Sequence, residues 1–322
     1  MNAFDKLYAQ NKLGKYLIVG LDSSLEIVRE YVPEDRCHSD RDAVSIFNRI
    51  VIEATKDIAA GYKPNEKFYG AFDGGDRALS LTLNHCRTLA PDAFTILDCK
   101  DGDVGSSMEG TVKKVKRHGV DAVTLSPFMG QDSLQPALDE RELAVFILGR
   151  TSNDGAEEIQ DELAYKSQEE ITSLTGQAPE VLAEAMGWRS ILDGQQLCYL
   201  VPQYQLIALR VVHRYNSNRN CGLVVGATHP AELGLVRYLA PDLPFLIPGV
   251  GAQGGDLEAT VAAARDDNKR GFVINSSRGI IFAGKPPDTF KEDEKPGKDW
   301  QQAIHDAAKK LHYEITNQLS LV

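Results

Sequence analysis

Eight short runs of β-branched and other apolar residues recur along this chain, at 16–21, 58–63, 95–100, 122–125, 145–150, 223–227, 245–248 and 272–275. Each ends in polar or glycine-rich residues, and segments with helical periodicity separate them. Parallel strands cannot be joined by a tight hairpin and need a crossover, usually a helix, so this alternation predicts a parallel α/β protein. Eight strand-helix units are the number that closes a (β/α)8 TIM barrel. The 322 residues accommodate one such domain, with a barrel core at about 16–282, an insertion between the fifth and sixth strands at about 154–220, and a C-terminal link and helix at about 285–319.

Between the first two strands Val44, Phe47, Ile50, Val51, Ala54 and Ile58 share one helical face, and Ser39 followed by Asp42 has the form of a capping box. The insertion predicts two or more helices, including 157–173 and 203–215, and offers no chemistry of its own. The run KPPDTFKEDEKPGK at 285–298 predicts a loose surface link to the final helix.

Net charge is −11, so nucleic acid and acidic membrane surfaces would repel this protein. An anionic substrate would need a local cationic island. No run is long and apolar enough for a membrane span, and the first residues, MNAFDKLYAQNK, lack a secretory signal, so the expected location is cytoplasmic. The five cysteines (Cys37, Cys86, Cys99, Cys198 and Cys221) lack CxxC or Cys/His metal spacing and read as reduced thiols.

The third strand reads FTILDCKDGDVGSS. Side chains alternate across a strand, so Asp98 and Lys100 share the face opposite Leu97 and Cys99. In a barrel this places Asp98 and Lys100 at the interior near the C-terminal mouth, where active sites of this fold lie. Asp103 follows at the strand end, and Lys63 ends the second strand in the same layer. Alternating cations and anions can share a buried layer because each charge has an opposite neighbour. After the seventh strand comes PGVGAQGGD (248–256), whose glycines let backbone N–H groups approach an anion. After the eighth comes NSSRG (275–279), with Arg278 suited to a bidentate phosphate contact. Barrels that bind phosphorylated substrates typically use these two loops.

The motif Asp98-x-Lys100-x-x-Asp103 resembles that of the orotidine 5′-phosphate decarboxylases. Companion segments at 20–22 (GLD), 62–65 (YKPN), 126–134 (SPFMGQDSL), 150–153 (RTSN), 224–228 (VVGAT) and 247–256 (IPGVGAQGGD) resemble the family's longer, mycobacterial-type branch. The resemblance implies decarboxylation of orotidine 5′-monophosphate to uridine 5′-monophosphate, the last step of de novo UMP synthesis, with no metal or cofactor. It implies a charged tetrad of Lys63, Asp98, Lys100 and Asp103, with Lys100 protonating the C6 carbanion. It also implies a homodimer with shared active sites, in which Asp103 enters the partner's site. Asp22 would contact the ribose, Ser152 the pyrimidine, and Gln253 with Arg278 the phosphate, while Ser107, Pro248 and Ser277 complete the substrate contacts. Three positions depart from the family pattern: Ser107 stands where Thr is usual, Asp101 adds a negative charge beside the tetrad, and Gly70 replaces a glutamate.

Two other readings share these features. Phosphosugar decarboxylases and aldolases on related barrels use the same motif around Mg2+, with an acid where Lys63 stands, and a lysine there disfavours a cation. A non-catalytic phosphate-ligand-binding barrel is the other, since fold does not fix function, and the complete charged tetrad speaks against it.

Overall fold

The computed structural model describes residues 2–35, 37–251, 254–266, 271–284 and 298–321. From the N-terminus the strands are β1 (Leu17–Leu21), β2 (Gly61–Pro64), β3 (Phe94–Asp101), β4 (Ala122–Leu125) and β5 (Ala144–Leu148). There follow β6 (Leu163–Ser167), β7 (Arg189–Asp193), β8 (Gln196–Pro202), β9 (Cys221–Val224), β10 (Phe245–Ile247) and β11 (Phe272–Ser276). Eight of them close a barrel in the order β1-β11-β10-β9-β5-β4-β3-β2, every neighbouring pair parallel. These eight coincide with the eight sequence runs, with bounds shifted by up to three residues. The expected (β/α)8 barrel is therefore observed.

Strand alternation sorts the side chains into two layers. Ile18, Ile96, Phe146, Val224, Leu246 and Val273 form an inner apolar cluster, while Leu17, Val19, Leu97 and Cys99 join the larger cluster between strands and helices. The helix Asp5–Lys12, which periodicity did not signal, closes the barrel's lower end. Its flanking Phe4 stands 6.3 Å from the Phe94 ring and 5.4 Å from the Phe146 ring, and Leu7 is fully buried in the same cluster. Burying such side chains stabilises by about 1.5–3 kcal/mol each. The polar interior residues Lys63, Asp98, Thr124 and Asn275 come later along their strands, so the barrel is oily below and charged above.

Helix Asp40–Thr55 buries Val44, Phe47, Ile50, Val51 and Ala54 as the sequence predicts, and Ile58 is buried just beyond its end. The capping box is absent: Ser39 makes no side-chain cap bond, and the Asp42 carboxylate is taken by Arg41 at 2.9 and 3.0 Å. The C-terminal helix runs Lys298–Leu321 and packs on helices Asp40–Thr55 and Leu257–Ala264, burying Trp300, Ile304, Ala308 and Ile315. Residues 285–297 of the expected link lie outside the described residues.

The insertion corrects the sequence reading most. Residues 157–173 are not one helix but a short turn Glu157–Gln160, strand β6, and the start of helix Gln168–Thr175. The break is set by Ser167, whose hydroxyl accepts from Glu170 N–H while the Glu170 side chain accepts from Ser167 N–H, a reciprocal cap that starts a new helix. A hairpin turning at Gly194 (φ 62°) joins β7 to β8, and the three strands form an antiparallel sheet in the order β6-β8-β7. Helix Gln203–Arg210, continued by a wider turn over Val211–Tyr215, matches the second expected helix.

Candidate active site

At the upper end of the barrel β2 and β3 project their charged residues inward. Lys63 Nζ lies 2.5 Å from Asp98 Oδ2 and 4.0 Å from Asp22 Oδ1, and Lys100 Nζ lies 2.6 Å from Asp98 Oδ1. Lys63 and Asp98 are buried, while the Lys100 side chain is half-exposed at the cavity. Burial pushes the Asp98 carboxyl upward, but the Lys63 and Lys100 cations outweigh it and hold Asp98 well below the usual carboxylate range. Burial likewise works against the charged form of Lys63, and Asp98 with Asp22 more than compensates, so the ammonium is retained more firmly than in water.

The backbone at Lys100 is unusual. Its φ is 54°, the left-handed region that a residue with a side chain rarely adopts. Such a conformation costs about 1–3 kcal/mol and persists where the surroundings impose it. Here β3 slips its register against β4 between Leu97 and Asp101. The Lys100 N–H donates to Thr124 Oγ1 at 3.1 Å, and that hydroxyl donates to Asp98 Oδ1 at 2.9 Å.

A cavity of about 500 Å³ opens above this layer. Of the residues singled out in the sequence, Asp22, Lys63, Asp98, Lys100, Ser152 and Arg278 line it, with Pro248 and Ser277. Gly20 lets β1 pass close to β11, since a side chain there would occupy the position of the Ser277 hydroxyl. Asp22 Oδ1 and Asn275 Oδ1 are buried at the cavity without a hydrogen-bond partner among the described residues. Buried polar atoms are nearly always satisfied, so two orphan acceptors mark a place where a ligand hydroxyl or N–H would be received. At the far end, the loop after β10 turns at Gly249 (φ 101°) and Gly251 (φ 81°), and Arg278 stands exposed at the rim. Gln253 lies outside the described residues.

Two expected site residues do not reach this cavity. Asp103 is exposed beyond the strand end, with Oδ1 accepting from Val104 N–H at 2.7 Å, and Ser107 is exposed on the first turn of helix Gly105–His118. The loops after β3 and β4 adjoin where Gly102 meets Ser126, and Val104 on the first and Phe128 and Met129 on the second expose apolar side chains. Asp101 does not add its charge to the layer as expected. It accepts from Thr111 Oγ1 at 2.7 Å, on the helix side near Glu66 and Cys99, and Glu66 is itself held by Lys114 at 2.6 Å.

Sequence reasoning missed Thr124, Thr151, Asn153 and Gln160, all of which line the cavity. Gln160 overturns the expectation that the insertion takes no part in the site. Its carboxamide accepts from Thr151 N–H at 2.8 Å and donates to Thr151 Oγ1 at 2.7 Å. Next to it Asp161 pairs with the buried Arg150 at 2.9 and 3.0 Å. Arg150 follows the fifth strand and is itself followed by Asp154, Glu157, Glu158 and Asp161, and that was the available signal, because a buried guanidinium needs an acid.

Residues 15–292 match the family described as "Orotidine 5'-phosphate decarboxylase / HUMPS". A curated orotidine 5′-phosphate decarboxylase of Herpetosiphon aurantiacus is 39% identical over 271 residues, covering 83% of this chain and 84% of that protein. One of Cellvibrio japonicus is 33% identical over 300 residues, covering 93% and 92%. Among solved structures, Leishmania donovani OMP decarboxylase aligns over 99% of both chains with a TM-score of 0.71 and 29% identity. Leishmania donovani UMP synthase aligns with a TM-score of 0.73 and 30% identity, over 99% of this chain and 57% of that one.

Proposed function

The chain belongs to the orotidine 5′-phosphate decarboxylase family, and from that premise we propose that Lys63, Asp98 and Lys100, joined by Asp103 of a partner subunit, form its reacting centre. Its activity is decarboxylation of orotidine 5′-monophosphate to uridine 5′-monophosphate in pyrimidine biosynthesis. The observation that carries the proposed roles is the unbroken chain Lys63–Asp98–Lys100 at the cavity floor.

Loss of CO2 from C6 leaves an electron pair in an in-plane orbital that the ring carbonyls cannot delocalise. An ammonium beside that carbon stabilises the pair electrostatically and then transfers a proton to it, giving C6–H. Both cations line the cavity, and Lys100 is the more exposed of the two, while Lys63 is buried against Asp98. Asp98 orients the Lys100 ammonium, and Lys63 keeps Asp98 ionised. The proposed sites of recognition are Ser152 for the pyrimidine, Asp22 for a ribose hydroxyl, and Arg278, Gln253 and the loop residues Pro248 and Ser277 at the phosphate end. The orphan acceptors Asp22 Oδ1 and Asn275 Oδ1 support the ribose assignment. Binding energy from the remote phosphate can be used to assemble the charged centre.

The shared-site homodimer is supported by the exposed Asp103 and Ser107 and by the exposed apolar Val104, Phe128 and Met129 on the two adjoining loops, since exposed apolar groups gathered on one rim mark contact surfaces. A two-fold axis through this rim would place each Asp103 over the partner's cavity. We take the chain as one catalytic domain, because the C-terminal helix shares the barrel's apolar cluster. No helix of the described residues is long and apolar enough to cross a membrane. The five free thiols suit a cytoplasmic location.

The reaction needs no metal in this reading, because the Lys63 ammonium already neutralises Asp98 and would repel a divalent cation beside it. Turnover of orotidine monophosphate, followed by its ultraviolet absorbance with and without excess EDTA, tests this. Equal rates are expected. Activity lost to EDTA and restored by Mg2+ would contradict the assignment.

A further inference from the structure

Thr124 on β4 carries no charge, yet its hydroxyl touches two members of the charged chain. It accepts the Lys100 backbone N–H at 3.1 Å and donates to Asp98 Oδ1 at 2.9 Å. Both directions follow from chemistry, because a backbone N–H can only donate and an ionised carboxylate can only accept. Thr124 is 1% exposed, so bulk water does not compete for either bond.

The local backbone explains why a side chain is needed here. The β3–β4 ladder pairs Leu97 with Val123 and next pairs Asp101 with Leu125, so β3 advances four residues while β4 advances two. The surplus forms a bulge, a device that bends a strand and re-aims a side chain. Lys100 lies in that bulge in its left-handed conformation, and its N–H goes to the Thr124 hydroxyl. The same hydroxyl binds the Asp98 oxygen that receives Lys100 Nζ. One group thus ties the lysine's backbone to its carboxylate partner.

We infer that Thr124 is a positioning residue that holds the bulge and the Asp98 carboxylate in register, so that the Lys100 ammonium meets the carbon losing CO2. The inference rests on Lys100 being the proton donor. Displacement of a reacting group by about 1 Å can cost about a hundredfold in rate. Loss of the hydroxyl should therefore lower kcat without weakening the grip on ribose or phosphate.

The test compares wild type, Thr124→Val, Thr124→Ala, Thr124→Ser and Lys100→Ala by kcat and KM for orotidine monophosphate, with Kd for uridine monophosphate. Thr124→Val is expected to lose about tenfold to a hundredfold in kcat, with KM and Kd within about threefold. Thr124→Ser keeps both hydrogen bonds and should restore kcat to within about threefold. If valine unfolds the barrel, the alanine variant, which also lacks the hydroxyl, supplies the same comparison with serine. A hydroxyl-free variant with wild-type kcat, or a serine variant as slow as it, would overturn the inference. Activity retained in Lys100→Ala would instead overturn the proton-donor reading beneath it.

Discussion

Lys63 Nζ lies 2.5 Å from Asp98 Oδ2 at the end of β2, and only 4% and 5% of the two residues are exposed. A buried pair of this kind adds little when intact, but removing one partner strands the other charge and costs about 3–5 kcal/mol. Asp98→Asn should therefore destabilise the fold as well as stop turnover. The pH dependence separates this cause from a packing defect. In the wild type Asp98 is held low, so its contribution is present above the unfolded value of about 4 and is lost only as pH falls through the lower folded value. Lys63 is held high, so its contribution is present below about 10.4 and is lost as pH rises through the higher folded value. Between those limits the pair confers no slope. In Asp98→Asn only Asp22, at 4.0 Å, still opposes the burial that weighs most on Lys63, so its folded value should drop below the unfolded one. The unfolded state then binds more protons, and stability should rise with pH. Urea unfolding from pH 6 to 9 checks this, and a flat profile would contradict it.

Asp103 is expected to serve the partner's cavity. Lys100→Ala and Asp103→Ala proteins should each be inactive alone. Mixed under conditions of subunit exchange, about half the dimers are mixed, each with one intact site, so about a quarter of wild-type activity should return. No recovery despite demonstrated exchange would mean that Asp103 acts within its own chain.

Gln160 binds both the N–H and the hydroxyl of Thr151, next to Ser152. Gln160→Ala should loosen the loop proposed to meet the pyrimidine, raising KM for orotidine monophosphate by about tenfold, or about 1.4 kcal/mol. The kcat should change less. An unchanged KM would show that the insertion does not act through this contact.

Arg237 is 8% exposed and donates to the carbonyls of Ala240, Pro241, Leu243, Ala264 and Gly271, with its guanidinium 3.6 Å from the Phe245 ring centre. Burial pulls its pKa down to about 10, still cationic at neutral pH. Arg237→Met removes the donor from all five carbonyls, of which Gly271 and Ala240 keep a backbone N–H, and should cost about 3 kcal/mol. A melting temperature within about 2 °C of wild type would rule out this structural role, since about 3 kcal/mol shifts a domain this large by more than that.

The eight barrel strands, the inward parity of Asp98 and Lys100, and the loops after β10 and β11 that reach the cavity were legible in the linear order, because strand alternation and glycine-rich strand ends are local properties. The family resemblance reached the same residues through ordered motifs. The capping box at Ser39 was misread because Asp42 found a nearer partner in Arg41, a competition between neighbours that spacing cannot rank. The insertion was misread because β6 is mostly exposed or half-buried and β7 is exposed throughout, so neither carries a core pattern and both are defined only by pairing with β8.

What the sequence by itself determined is the barrel and the identity of the charges at its mouth, since both follow from periodicities of two and about 3.6 residues. What only the tertiary structure decided is how those charges are held. The bulge that turns Lys100, the Thr124 hydroxyl that spans it, and the reach of Gln160 into the cavity all join residues distant in sequence or shifted in register. Such contacts depend on ångström-scale placement after the barrel has closed, and no local pattern of residue types encodes that placement.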